Sequence, residues 1–206
     1  MVNSLKEAFE YRGCSICQLL DKDEYDFMCR LQGQILKAEK VRQDLVSSNG
    51  FCNYHFHEMA QLTSPLVNAV LTKDFIDREI GEIEGNFHLP LSRIECPVCR
   101  FIAEREDSYL GEFITVLQDR SWQKKYEQTD GLCRIHTKKA LNSLDENELG
   151  QFLRHTQLMH LKKLRAELQA FIDKGGRTSR EIGREKNSWW VAIRKWAGRK
   201  GLTESS

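Results

Sequence analysis

Two cysteines three positions apart, followed some thirty residues later by a glycine, a third cysteine and a histidine, occur twice in this chain. Cys14 and Cys17 recur as Cys96 and Cys99, an offset of 82, and Gly50, Cys52 and His55 recur as Gly131, Cys133 and His136, an offset of 81. The shared pattern is C-x2-C, then 32 residues in the first copy or 31 in the second, then G-[FL]-C-x2-H. Four metal-competent residues and a glycine returning at nearly one period read as an internal duplication.

The donor types then limit the chemistry. Three thiolates and one imidazole fill a tetrahedron and leave no open position, which is the composition of a structural zinc site. A C-x2-C pair supplies two donors from a tight turn, and a cysteine and histidine three apart at a helix start lie on one face. Helix N-termini also favour thiolates through their partial positive charge. Taking each repeat as a unit assigns Cys14, Cys17, Cys52 and His55 to one site, and Cys96, Cys99, Cys133 and His136 to the other. The spacing alone leaves open whether the sets close within or between repeats. Zinc, two ions per chain, is the expected metal. An iron-sulfur cluster is the less favoured choice, since soft sulfur donors also suit iron.

The alignment of the copies also sorts the remaining candidates. His55 aligns with His136, whereas His57 aligns with Lys138 and reads as a supporting or surface residue. Cys29 has no counterpart and reads as a small buried hydrophobe. His88, His155 and His160 have no partner spacing. Glu24 and Glu106 each stand seven residues beyond the second cysteine of their pair. They read first as members of a solvated helix face, and second as a carboxylate pair for catalysis. No glycine-rich phosphate loop, H-E-x-x-H or G-x-S-x-G motif accompanies them.

Between the ligand pairs the apolar residues fall three and four apart, the helical period. The first repeat carries Leu19, Leu20, Tyr25, Phe27, Met28 and Leu31, and the second Phe101, Ile102, Tyr109, Leu110, Phe113, Ile114 and Leu117. Shorter helical stretches with Val41 and Leu45, or Trp122 and Tyr126, end at Gly50 and Gly131, where glycine accepts a left-handed conformation. Ser64 and Pro65 start a linking helix that carries Leu66, Val70, Phe75, Ile76, Ile80 and Ile83. Ser143 with Glu146 forms a capping box for a long helix whose packing face is Leu161, Leu164, Leu168 and Phe171.

Only three prolines and no strand-like alternation in 206 residues agree with an all-α fold. No apolar run approaches the roughly 18 residues that cross a bilayer. The start, MVNSLKEAFEYRG, lacks an apolar segment behind a basic one, so a reducing cytoplasm is the expected compartment. The net charge of +1 hides an asymmetry, because from Lys174 onward nine Lys or Arg face three Glu. Gly175 and Gly176, followed by Arg177, Thr178 and Ser179, mark the boundary of this basic tail. The tail combines Trp189, Trp190, Val191, Ile193 and Trp196 with Arg194, Lys195, Arg199 and Lys200. The favoured reading docks its tryptophans on the acidic body. An external partner, an anionic membrane surface or nucleic acid are the alternatives.

The segments GCSICQLLDKDEYDFMCR, GFCNYHF, ECPVCR and GLCRIH resemble a family of uncharacterised bacterial helical proteins, a domain of unknown function, with this duplicated pattern. The basic end NSWWVAIRKWAGRKGL is similar too. The resemblance spans roughly residues 10 to 200, supports the ligand assignment and implies no activity. The expected architecture is two tandem zinc-stapled helical repeats, 1–83 and 84–174, the second with a long C-terminal helix, and a basic amphipathic tail helix over 175–206. The expected function is a non-catalytic binding or adaptor protein with a protein partner. A thiol or iron-sulfur redox sensor comes second, and an enzyme using Glu24 and Glu106 third.

Overall fold

The computed structural model describes residues 4–85, 94–175 and 184–201. His88 and the glycine-to-serine boundary over 176–179 lie outside them. Among the described residues the chain is all-α, with ten helices, one 3-10 turn and no strand. After a single turn, α1 (Leu5–Ala8), the order is α2 (Ser15–Ile35), α3 (Glu39–Ser47), α4 (Asn53–Leu62) and α5 (Pro65–Gly85). The same sequence of long, short, short and long helices follows in α6 (Pro97–Val116), α7 (Arg120–Glu127), α8 (Arg134–Asn142) and α9 (Glu148–Asp173). A 3-10 turn (Arg184–Asn187) leads into α10 (Ser188–Ala197).

The residues group into two compact units, one formed by Met1–Lys22 with Glu106–Ser206 and one by Asp23–Arg105. The division falls inside α2 and α6, so the units partition the chain elsewhere than the sequence repeats do.

In the first unit Leu5, Ile16, Leu19, Leu20, Phe113 and Leu117 are buried, as the three-and-four spacing requires. Phe9, Phe113 and Tyr126 pack with ring centroids 5.2–6.4 Å apart. In the second unit Met28, Ile35, Leu45, Met59 and Leu71 form the core. Phe27 stacks on Phe101 at 4.5 Å.

The helix starts follow local chemistry. Pro65 opens α5 behind Ser64, whose hydroxyl accepts from the Val67 N–H at 3.4 Å. The long helix α9 starts later than the Ser143 capping box implied. Asn147 is its cap, its Oδ1 accepting from Gly150 N–H at 2.9 Å, while Ser143 closes α8 and donates to the Lys139 carbonyl. Asparagine caps as well as serine, so the competition was between two adequate caps.

Three apolar stripes face differently from expectation. On α5 the buried residues are Val67 and Leu71, while Leu66, Ile76, Ile80 and Ile83 are exposed. On α9 Leu149, Leu153, Thr156, Gln157 and His160 are buried and Leu161 is exposed. The tail helix α10 packs within the first unit, but through Ser188, Val191 and Lys195, with Arg199 just beyond its end, rather than through its tryptophans. Trp189, Trp190 and Trp196 remain 48%, 52% and 70% exposed. Its cations account for the orientation. Arg194 and Arg199 pair with Asp21, the latter at 3.0 Å, and Lys195 donates to the Asp130 carbonyl.

Candidate metal centres

Each unit brings together one C-x2-C pair and one C-x2-H pair, and the pairs come from different repeats. Cys14 and Cys17 meet Cys133 and His136 in the first unit, and Cys52 and His55 meet Cys96 and Cys99 in the second. The eight residues singled out from the sequence are those assembled, but the grouping within each repeat is corrected. The two sets close between repeats.

Backbone geometry around the cysteines explains the convergence in the first unit. The chain turns at Gly13, φ +100°, and its N–H donates to Asp130 Oδ2 at 2.9 Å, with Arg12 Nε donating to the same oxygen at 3.0 Å. That carboxylate ties the loop before Cys14 to the loop before Cys133. The second loop is clamped in turn: the Leu132 N–H donates to Tyr126 Oη at 3.2 Å, and Gln157 Nε2 donates to the Leu132 carbonyl at 2.8 Å. Gly131 sits at φ +71°, and a Cβ there would stand 2.2 Å from His160 Nδ1, so both conformation and space demand glycine. Cys133 then opens α8 as its N-cap, with Sγ accepting from the His136 N–H.

The second unit solves the same problem with other groups. The Glu95 N–H donates to the Ser48 carbonyl at 3.1 Å, joining the approach to Cys96 with the end of α3. Gly50, at φ +74°, closes α3 and faces the Phe75 ring, which a Cβ would approach to 2.6 Å.

In each set the four donor atoms lie within 4.8 Å of one another. His136 Nδ1 lies 3.3 Å from Cys14 Sγ, 3.5 Å from Cys17 Sγ and 3.3 Å from Cys133 Sγ, and the Cys17 and Cys133 sulfurs are 3.7 Å apart. In the second set His55 Nδ1 lies 3.2, 3.3 and 3.3 Å from Cys52, Cys96 and Cys99, and the Cys52 and Cys99 sulfurs are 3.6 Å apart. A single ion with zinc-like bonds would give tetrahedral edges of about 3.8 Å between sulfurs and about 3.5 Å between sulfur and nitrogen. A disulfide would need about 2.05 Å. All seven cysteines are free thiols. These two groups could hold a metal ion each.

Behind each imidazole stands a glutamate. His136 Nε2 is 3.0 Å from Glu106 Oε1, and Lys139 Nζ is 2.9 Å from the same carboxylate. His55 Nε2 is 3.6 Å from Glu24 Oε2, and the Tyr54 hydroxyl donates to Glu24 Oε1 at 3.4 Å. Both glutamates are buried, at 7% and 2% exposure, so the solvated-face reading of Glu24 and Glu106 is corrected. Nδ1 of each ring faces the sulfurs and Nε2 faces a carboxylate, the arrangement in which a neutral ring protonated on Nε2 would present a lone pair to a metal.

Charge is shared unevenly within each set: one thiol is lowered, while Cys17 is raised by its hydrogen bonds with Cys133 and Cys14, and Cys99 by partial burial and its neighbouring thiols. Burial works against the Cys14 thiolate, yet hydrogen bonds with Cys133 and Cys17 and the charge of His136 hold it well below its ordinary value. Burial opposes the His136 charge too, but Cys14, Cys133 and Glu106 push its pKa up to about 12. Burial also opposes ionisation of Cys96, and the hydrogen bond with His55 outweighs it, bringing that thiol to about 6. The two sets differ in access. Every donor residue of the first is buried, whereas Cys52 is half-buried and Cys99 exposed in the second.

Cys29 is half-buried and in neither set, and His57 is exposed. His160 is buried with Nε2 against the Glu127 carbonyl, and burial lowers its pKa to about 4. Sequence reasoning placed Tyr126 only as an apolar helix position and missed Asp130 and Gln157, which carry no metal-ligand signature.

The fold and the two sites describe an all-α chain with a pair of candidate metal clusters. Over residues 4–93 it is similar to a family of unknown function, DUF6062. That stretch holds Cys14, Cys17, Cys52 and His55, two donors of each cluster. No curated protein and no solved structure matches the chain. Among the described residues no helix is long and apolar enough to cross a membrane.

Proposed function

We propose that the chain is a non-catalytic binding or adaptor protein whose two units are each stapled by one zinc ion. One observation carries this reading: each donor set brings three cysteines and one histidine within 4.8 Å of one another, a set that would fill a tetrahedron and leave no position for substrate or water. Cys14, Cys17, Cys133 and His136 would hold one ion, and Cys52, His55, Cys96 and Cys99 the other. The role of Glu24 and Glu106 is to orient the histidines rather than to do chemistry on a substrate. The matched motifs and helix order support a duplication of the regions 1–83 and 84–174, with 175–206 appended. A reducing bacterial cytoplasm suits seven free thiols.

The partner is read from exposed apolar surface. Among the described residues, Leu66, Ile76, Ile80 and Ile83 on α5, and Trp189, Trp190 and Trp196 on α10, are exposed. A protein, an anionic membrane surface or nucleic acid are the partners such surfaces admit. Donor atoms within 4.8 Å of one another favour one ion over an iron-sulfur cluster, whose ligands are spread over two or more irons.

Metal analysis of protein purified without added metal is the test. One zinc per donor set and no visible absorption are expected. Iron with a visible chromophore would favour the redox reading, and metal-free folded protein would overturn the stapled one.

A further inference from the structure

The tail helix α10 has two faces with different chemistry. Ser188, Val191 and Lys195, at three- and four-residue spacing, face the first unit. Trp189, Ile193 and Trp196 follow the same spacing a third of a turn away and are 48%, 50% and 70% exposed. Three large apolar side chains aligned on the solvent side of a short helix are not explained by packing.

Beside this stripe, between α8, α9 and α10, lies an open groove of about 390 Å³ that Trp196 borders. Its floor is aliphatic: Leu161, Leu164 and Leu168, which the periodicity of α9 marked as a packing face, line it from one side. Its rim is cationic, with Arg134, Lys138 and Arg165, and no Asp or Glu lines it. Arg134 stacks over the Trp196 ring at 4.8 Å and donates from Nε to the Trp196 carbonyl, so the aromatic and the cation are held together.

We propose that α10 and this groove form a docking surface for an anionic lipid bilayer, the cations meeting lipid headgroups and the leucine floor accepting an acyl chain. The charge complementarity is one-sided, since the apolar lining is ringed by positive charge alone. Tryptophan favours the boundary between headgroup and hydrocarbon, and basic helices with such a face lie in that plane without spanning it. Aliphatic leucines give nucleic acid neither a donor nor a stacking surface, which disfavours it here. The proposal rests on the reading of the chain as a binding protein and names the partner of one of its surfaces.

Vesicle co-sedimentation of the metal-loaded, full-length protein tests it, with tryptophan fluorescence as the second readout. Binding to phosphatidylglycerol vesicles is expected to be at least tenfold tighter than to phosphatidylcholine vesicles, to weaken as salt rises, and to shift the emission to the blue. Trp196→Ala and Arg165→Glu alter exposed side chains, so each should weaken binding about tenfold with unchanged melting temperature and metal content. Equal affinity for both vesicles, binding to neither, or vesicle binding insensitive to both substitutions would overturn the proposal. So would binding of monomeric oleate, an acidic peptide or duplex DNA without vesicle binding. Failure here with zinc content intact would leave the stapled-protein reading standing. Absence of zinc would sink that reading whatever the vesicles do.

Discussion

Glu106 shows at the level of one side chain how the account can fail. Its carboxylate is buried, and burial raises its pKa, but His136 and Lys139 outweigh that and hold it below its ordinary value. An ionised glutamate 3.0 Å from Nε2 would orient the imidazole and raise its basicity toward a metal held on the opposite nitrogen. Glu106→Gln should therefore weaken zinc binding at the first site about 10- to 100-fold without removing a ligand. Glu24→Gln, at 3.6 Å from its histidine, should do less at the second. Competition with a chromophoric chelator measures both, and an unchanged affinity in Glu106→Gln would make the contact incidental. The sequence displayed the matched positions of these glutamates but not their burial. Spacing along a helix places residues on a face and is silent about which face meets the neighbour.

Among the elements, α10 tests that same gap. The tail was expected to dock, and it does, yet the tryptophans that motivated the expectation stay outside. Aromatic content identifies a helix that can bury area. The pairing of Arg194 and Arg199 with Asp21, and of Lys195 with the Asp130 carbonyl, is set by positions more than sixty residues away and decides which side turns inward. The outward stripe of α5 was illegible for the same reason. Deletion of residues 184–206 should lower the melting temperature and cost about 2 kcal/mol or more, because Val191 and Ser188 leave buried positions and Asp21 loses both arginines. Trp190→Ala, half-exposed, should stay within about 0.5 kcal/mol of the parent. Denaturant unfolding compares the three, and a truncation as stable as the parent would show that the helix merely rests on the surface.

For the whole molecule the decisive feature is that each Cys/His cluster draws on both occurrences of the motif. All eight clustered residues were legible from the recurring motif, because its thiols and imidazoles are side chains that suit a metal. Their partnership was not. Cys17 is 35 residues from Cys52 but 116 from Cys133. Closing the longer loop costs only about 1 kcal/mol more in chain entropy, against roughly 10 kcal/mol of metal-coupled folding energy per site. Sequence separation could not choose, and contacts such as Asp130 with Gly13 and Glu95 with Ser48 did. Zinc content of paired substitutions tests the crossing most directly. In Cys14→Ala with Cys133→Ala, both changes fall in one set, so one zinc per chain should remain. In Cys14→Ala with Cys52→Ala they fall in different sets, so both ions should be lost. The reverse result, one zinc retained by the Cys14/Cys52 pair and none by the Cys14/Cys133 pair, would mean that each repeat closes its own site and would contradict the account.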